Sequence, residues 1–112
     1  MDMVFQFQEQ FYLIDWKSNW LGDTVEDYGQ DCLVRAMEDG LYTLQYSIYT
    51  VALDRYLSLR LPSYDYETHF GGVYYIFLRG VDRARGPDFG IYRDKPSVAL
   101  IKTLRENLID RG

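Results

Sequence analysis

The sequence predicts an α/β fold, and three observations lead to this prediction. Two apolar stretches within residues 1–17 alternate like strands and are separated by the polar segment Gln8-Glu9-Gln10. Two longer stretches, at about 24–39 and 41–59, carry apolar residues at helical spacing. A continuous apolar run follows from Val73 to Leu78 and has the length of a buried strand. We therefore expect a sheet with helices packed against it.

The first two strands are expected to form a hairpin. If a two-residue turn at Gln8-Glu9 joins them, the numbers of paired residues add up to 17. Asp2 then lies directly opposite Asp15, with their Cβ atoms about 5 Å apart. Both strands are apolar on both faces, which is typical of central strands covered by helices. A chain that starts inside such a strand is expected to be part of a domain, with its N-terminal side missing.

The facing carboxylates of Asp2 and Asp15 predict a cation site. Like charges directly opposite each other destabilise a sheet, so a compensating positive charge is expected. A divalent cation such as Mg²⁺ suits one or two carboxylates. Lys17 lies two residues after Asp15, and alternation along a strand places both side chains on the same face. Two acids, a lysine and a metal ion together are suited to cleaving phosphodiesters.

A helix is predicted over about 24–39 and a second over about 41–59. Thr24 and Asp27 have the spacing of a capping box at the start of the first helix, and Gly40 is expected to end it. Its predicted apolar stripe consists of Val25, Tyr28, Cys32 and Ala36. The stripe of the second helix consists of Leu44, Ile48, Val51, Ala52 and Leu59. Gln45 and Tyr49 are four residues apart, so they share a helix face that can turn toward the two acids.

The remaining elements are a loop, two strands and a last helix. Residues 63–71 read as a polar loop with aromatic anchors, and a buried strand covers about 72–79. A short strand is expected at Phe89–Tyr92 after a loop rich in charge and glycine. A helix over about 97–110 has Val98, Ile101, Leu104 and Leu108 as its apolar stripe.

Composition limits the function classes. The chain has 112 residues, enough for one modest core, and a formal net charge of -5. DNA-binding domains are normally basic, so composition alone favours a module that does not bind DNA by itself. The alternative is that other parts of a larger protein hold the DNA. With a single cysteine, no secretory leader and no membrane-spanning stretch, the chain is predicted to be cytoplasmic.

Several segments resemble one nuclease family. Asp2, then Asp15-Trp16-Lys17, then Gln45 and Tyr49 resemble the D…D-x-K…Q-x-x-x-Y series of the RecB-like nucleases. This family belongs to the PD-(D/E)-x-K, restriction-endonuclease-like superfamily. Longer similar segments are 15–22, 69–73 and 77–82, and the resemblance covers nearly the whole chain.

The resemblance implies a fold, a reaction and partners. The implied fold is a restriction-endonuclease-like core, with a mixed sheet flanked by helices and truncated on its N-terminal side. The implied activity is Mg²⁺-dependent hydrolysis of DNA phosphodiesters, as the nuclease of an exodeoxyribonuclease V type helicase–nuclease that processes double-strand breaks. Implied partners are DNA, the gamma and alpha chains of exodeoxyribonuclease V, and a strand-exchange recombinase. The isolated chain is expected to be weakly active or inactive, since an upstream ligand and most of the DNA-binding surface are absent.

The resemblance also implies roles for individual residues. The implied metal ligands are Asp2, Asp15 and the main-chain carbonyl of Trp16. The implied catalytic residues are Asp2, Asp15, Lys17, Gln45 and Tyr49, with Lys17 orienting the attacking water. The competing hypothesis is a non-catalytic module with a nuclease-like core, which docks a recombinase or a sister subunit. The negative net charge of the chain and its tyrosine-rich helices fit this alternative.

The only histidine and three arginines are further site candidates. His69 is the only histidine, and its place in the polar loop favours a structural role. Arg79, Arg83 and Arg85 lie near the end of the buried strand, but Asp82 and Asp88 interleave with them. A solvated charged loop is therefore the favoured interpretation over a phosphate-binding patch.

Overall fold

The computed structural model describes residues 3–82 and 84–108, and within them a four-stranded mixed sheet is packed against helices. The strands are β1 (Met3–Phe7), β2 (Gln10–Lys17), β3 (Phe70–Phe77) and β4 (Ile91–Asp94), in that order across the sheet. The helices are α1 (Gln30–Asp39), α2 (Tyr42–Arg60), the short α3 (Tyr66–His69) and α4 (Val98–Leu108). The predicted α/β class with a mixed sheet is confirmed. Among the described helices, none combines the length and apolar character needed to cross a membrane.

The hairpin has the predicted register. Met3 pairs with Ile14 and Val4 with Leu13, so the numbers of paired residues add up to 17. The turn residues Gln8 and Glu9 have φ of 51° and 66°, the left-handed pair that a tight two-residue hairpin turn requires. Asp2 lies outside the described residues, so its predicted position opposite Asp15 stays a prediction.

The centre of the sheet is a parallel pair. β2 and β3 run parallel, with Asp15 beside Tyr75 and Lys17 beside Phe77. β4 pairs antiparallel with β3 and begins at Ile91, two residues later than the predicted start of the short strand. The connection from β2 to β3 contains α1, α2 and α3, which is the crossover that parallel neighbours need.

The predicted first helix is divided in two. A 3-10 helix, Val25–Tyr28, precedes α1, and Gly29 between them has an extended backbone (φ -68°, ψ 168°). The predicted capping box is present, because the main-chain N and the side-chain Oγ1 of Thr24 each donate to Asp27 Oδ2 at 3.1 Å. α1 ends at Asp39, but the left-handed residue that follows is Leu41 (φ 56°) rather than Gly40.

Most of the stripe predicted for the second helix is wrong. Of that stripe only Val51 is buried, whereas Leu44, Ile48 and Leu59 are exposed. α2 instead buries Tyr46, Ser47, Thr50, Val51, Asp54 and Leu57. The polar members of this face are tolerated because they find partners: Thr50 Oγ1 donates to the Tyr46 carbonyl at 2.7 Å, for example. In α1 the buried residues are Leu33 and Met37, while Cys32 is only half-buried.

The last helix is less buried than predicted. α4 begins at Val98, and the Ser97 hydroxyl accepts from Leu100 N at 3.1 Å, as an N-cap does. Ile101 is buried and Leu104 packs against the core, but Val98 and Leu108 are exposed. The part of the prediction beyond Leu108 lies outside the described residues.

The helices cover one face of the sheet only. Leu13, Asp15, Val73, Tyr75 and Phe77 point toward the helices and are buried. On the other face Phe5, Phe7 and Trp16 are exposed, and Tyr12, Ile14, Tyr74 and Ile76 are partly exposed. The expectation that helices cover both faces of the hairpin is therefore wrong for the described residues, and β1 is an edge strand. All described helices that follow β2 pack on the same side of the sheet. Because the strands are apolar on both faces, their sequence pattern could not show that one face stays open.

Candidate functional site

The C-terminal half of β2 brings Asp15 and Lys17 together on the helix-covered face of the sheet. Lys17 Nζ lies 3.0 Å from Asp15 Oδ2, and the two side chains are 18% and 6% exposed. The predicted placement on one face is confirmed. A carboxylate this deeply buried requires a cation or hydrogen-bond donors, and the ammonium of Lys17 is one.

Gln45 reaches the site through Tyr75. Tyr75 is fully buried and lies beside Asp15 in the parallel register, and its hydroxyl donates to Gln45 Oε1. Neighbouring strands are about 4.8 Å apart, so Tyr75, which holds Gln45, lies next to Asp15 in the sheet. The helix face that carries Gln45 thus packs on β3, beside the strand that carries Asp15.

Two tyrosine rings surround the ammonium of Lys17. Its Nζ lies 4.3 Å from the ring centroid of Tyr42 and 5.6 Å from that of Tyr75. The two rings pack against each other with centroids 5.6 Å apart. Asn19, in the loop after β2, donates from Nδ2 to the Tyr42 hydroxyl at 3.4 Å. The site therefore consists of a carboxylate paired with an ammonium group, and aromatic rings and neutral amides surround this pair.

Tyr49 and the Trp16 side chain lie away from this cluster. Tyr49, one turn after Gln45 on α2, is 44% exposed and makes no hydrogen bond or ring contact within the described part of the chain. The Trp16 side chain is 40% exposed and points to the open face, because it alternates with Asp15 and Lys17 along β2. The Trp16 side chain is therefore directed away from the predicted metal site.

The donor chemistry of the site suits Mg²⁺, although the described donor set is small. Asp15 offers carboxylate oxygens and Trp16 a main-chain carbonyl, both of which are hard ligands. The third predicted ligand, Asp2, lies outside the described residues. Within residues 3–82 and 84–108, no three His, Cys, Asp or Glu side chains gather as a metal cluster. Mg²⁺ commonly binds one or two carboxylates and takes its other ligands from water and phosphate, so the residues fit this ion.

The remaining candidates, His69 and the described arginines, make contacts that stabilise the fold. His69 Nδ1 accepts from Asp65 N at 2.9 Å, and its ring stacks on Tyr64. Arg79 Nε donates to the Ser18 carbonyl at 2.8 Å and so joins the ends of β3 and β2. Arg85 pairs with Glu26 at 3.1 Å in the loop. Arg83 lies outside the described residues.

The two tyrosines that frame Lys17 were not singled out by sequence reasoning. Tyr42 lies three residues before Gln45, so helical spacing was a signal that both share a face. Tyr75 lies within an apolar run, where a tyrosine signals a buried hydroxyl in need of a partner. Which partner it finds depends on the packing of α2 against β3.

The chain is similar to several known proteins that share one name. No protein-family model matches the chain. It is 49% identical over 106 residues to the RecBCD enzyme subunit RecB of Escherichia coli K12, covering 95% of this chain and 9% of that protein. The RecBCD enzyme subunit RecB of Haemophilus influenzae is 48% identical over 104 residues, or 93% of this chain and 8% of that protein. The Mycobacterium tuberculosis H37Rv subunit of the same name is 40% identical over 118 aligned positions, covering 100% of this chain and 11% of that protein. The chain thus spans 8 to 11% of the length of these curated relatives.

Proposed function

This chain belongs to the RecB family as the homologue of one segment of that subunit, and on this basis we propose that it carries a nuclease site. The proposed reaction is Mg²⁺-dependent hydrolysis of DNA phosphodiesters. Its proposed setting is an exodeoxyribonuclease V type helicase–nuclease that acts in cytoplasmic double-strand break repair and recombination. DNA and the gamma and alpha chains of that enzyme are the proposed partners, with a strand-exchange recombinase as a further one.

The observation that carries the proposal is the buried pair of Asp15 and Lys17. Their side chains meet at 3.0 Å at the end of a central strand, beside the Tyr75 and Gln45 contact. A buried acid and base cost folding free energy, so their placement here favours a chemical role over a purely structural one. The aspartate and lysine are also among the positions on which the family resemblance rests.

The residues have distinct proposed roles. A bound Mg²⁺ would lower the pKa of its water and offset charge on the phosphate. Asp15 would hold the ion through its carboxylate, together with the Trp16 carbonyl and Asp2. Lys17 would leave Asp15 and place its compact positive charge on the attacking water or a phosphate oxygen. Gln45 would hold the scissile strand or Lys17 in place, and Tyr49 would contact the DNA from its exposed position on α2.

The test is a calorimetric titration of the 112-residue chain with Mg²⁺ and with Mn²⁺. We expect binding by the wild type and its loss in Asp15→Ala. Asp31→Ala, which removes an exposed acid on α1, is the matched control and is expected to bind as the wild type does. A parallel assay on linear DNA is expected to detect weak cleavage or none, and EDTA and Asp15→Ala should each abolish any cleavage that is detected.

Two outcomes would contradict the proposal. A folded wild type that binds neither ion would remove the metal-dependent mechanism for this chain. Binding that survives in Asp15→Ala would place the ion elsewhere. Strong cleavage by the isolated chain would support the nuclease function but would contradict the proposal that the segment alone is weakly active or inactive.

A docking module is the second candidate function, and the open face of the sheet favours it. Phe5, Phe7, Tyr12, Ile14, Tyr74 and Ile76 form a continuous apolar surface on that face. Exposed apolar surfaces of this kind are typical of interaction sites. The proposed occupant is a sister subunit or a recombinase, with no catalysis by Asp15. This candidate would be favoured over the nuclease if the chain bound no metal ion and formed a complex with such a partner that Ile14→Glu disrupts.

A further inference from the structure

The position of the Lys17 ammonium depends on more than its salt bridge. Besides Asp15 Oδ2 at 3.0 Å, the ammonium faces the ring of Tyr42 at 4.3 Å and that of Tyr75 at 5.6 Å. A cation within about 6 Å of a ring centroid is attracted by the negative charge on the ring face. Lys17 therefore has a second holding site that does not involve the carboxylate.

Tyr75 connects this holding site to Gln45. Its side chain is fully buried, and its hydroxyl donates to Gln45 Oε1 while its ring faces Lys17. A phenylalanine would fill the same volume without a buried hydroxyl that needs a partner. The Tyr75 hydroxyl therefore fixes the orientation of the Gln45 amide beside the strand that carries Asp15.

Tyr42 is itself held on both sides. Its ring packs on Tyr75 with centroids 5.6 Å apart, and its hydroxyl accepts from Asn19 Nδ2 at 3.4 Å. A lysine side chain has four rotatable carbons, and ring faces fixed in this way restrict where its ammonium can go. If a cation were bound to the Asp15 carboxylate, the rings would keep the ammonium next to it.

We propose that Tyr42 and Tyr75 are positioning residues for the proposed nuclease site. Their ring faces hold the Lys17 ammonium near Asp15, and the Tyr75 hydroxyl holds the Gln45 amide. The catalytic consequence rests on the proposed function, whereas the placement of Lys17 and Gln45 can be measured without any activity.

The first test is NMR on the 112-residue chain. Ring currents are expected to shift the Lys17 Cε protons upfield in the wild type and in Tyr42→Phe, and Tyr42→Leu should lose this shift. Tyr75→Phe keeps the ring but removes the hydroxyl, so the side-chain amide signals of Gln45 should move. Tyr74→Phe is the matched control, because Tyr74 is the preceding residue of β3 and points to the open face. It should leave both sets of signals in place.

The second test is the kinetics of Mg²⁺-dependent DNA cleavage. Tyr42→Leu and Tyr75→Phe are expected to lower kcat by roughly 10- to 100-fold with KM for DNA unchanged, as misplaced catalytic groups do. Tyr42→Phe keeps the ring and loses only the contact with Asn19, so it should lower kcat much less than Tyr42→Leu.

The outcomes separate the two proposals. Unchanged Lys17 and Gln45 signals in folded variants would overturn the positioning role, and so would shifted signals combined with an unchanged kcat. The expected NMR changes in a chain that neither binds Mg²⁺ nor cleaves DNA would support the placement and would count against the nuclease function instead.

Discussion

Lys17 Nζ lies 3.0 Å from Asp15 Oδ2 on the buried face of the sheet, so each residue provides the charge that the other needs. The carboxylate that is proposed to bind Mg²⁺ is therefore already paired with a cation from the chain. A metal ion at Asp15 has to compete with the lysine for the same oxygens. This competition links metal binding to the stability of the fold.

Lys17→Met is expected to lower stability and to strengthen the response to Mg²⁺. Without the ammonium, the buried carboxylate of Asp15 loses its ion pair with Lys17, and the free energy of unfolding should fall by about 3 kcal/mol. Added Mg²⁺ should then raise Tm more in the variant than in the wild type, because the ion no longer competes with Lys17. Thermal unfolding with and without Mg²⁺ measures both effects.

The matched control for this prediction is Lys102→Met, which removes an exposed lysine from α4. It should change neither the free energy of unfolding nor the response to Mg²⁺. An equal rise of Tm in Lys17→Met and in the wild type would mean that lysine and metal do not share Asp15.

Gly90→Ala and Gly86→Ala are expected to differ sharply, although both glycines have a similar left-handed backbone. Their φ values are 82° and 81°. A Cβ at Gly90 would lie 2.6 Å from the Gly80 carbonyl carbon, whereas a Cβ at Gly86 would meet nothing within 4 Å. Gly86→Ala should therefore lower the free energy of unfolding by only about 1 kcal/mol, the cost of the left-handed backbone.

The expected cost of Gly90→Ala is about 3 kcal/mol or more, because the overlap with main-chain atoms adds to the cost of the backbone conformation. Gly90 also accepts from Phe77 N at 2.6 Å at the end of β3, so a shift there would reach the strand that holds Tyr75. Urea unfolding of both variants measures the difference. Equal losses would show that the close approach to Gly80 is easily relieved.

Features set by neighbouring residues could be predicted from the sequence, and features set by packing could not. The register of the hairpin and the shared face of Asp15 and Lys17 follow from turn length and strand alternation. The contact between Tyr75 and Gln45 joins residues 30 positions apart, and it depends on where α2 lies over the sheet. Periodicity did not indicate this.

The buried face of α2 is the clearest case of tertiary packing overriding periodicity. Its apolar residues Leu44 and Ile48 are exposed, while Tyr46 is buried. Tyr46 can take this place because its hydroxyl donates to Asp94 Oδ2 at 2.5 Å. Burial and this hydrogen bond raise the pKa of Tyr46 well above its ordinary value of 10.0, so the hydroxyl stays protonated as a donor. A scale that ranks residues by hydrophobicity cannot register such a partner.

Replacing Gln8-Glu9 with Asn-Gly is expected to stabilise the hairpin. Both residues have positive φ, which asparagine and glycine adopt at lower cost than glutamine and glutamate. The free energy of unfolding should rise by about 1 kcal/mol, since the strain of the turn is relieved. Glu9→Gln is the matched control for the lost charge and should have no such effect. A loss of stability in the Asn-Gly variant would contradict the turn geometry.

Asp54 is expected to make stability depend on pH in the opposite direction to most carboxylates. Burial raises the pKa of Asp54 above its ordinary value of 3.8, and Arg105, 3.3 Å away, only partly opposes this. The folded state then holds the Asp54 proton more tightly than the unfolded chain does. Its contribution to stability is present below pH 3.8 and is lost as the pH rises through the raised pKa.

The check is the difference in free energy of unfolding between Asp54→Asn and the wild type, measured from acid to neutral pH. The asparagine does not ionise, so the difference should move in favour of the variant as the pH rises above 3.8. At neutral pH the variant also loses the contact with Arg105, which limits its gain. A difference that moves in favour of the wild type on raising the pH would mean that Arg105, rather than burial, dominates the Asp54 carboxyl.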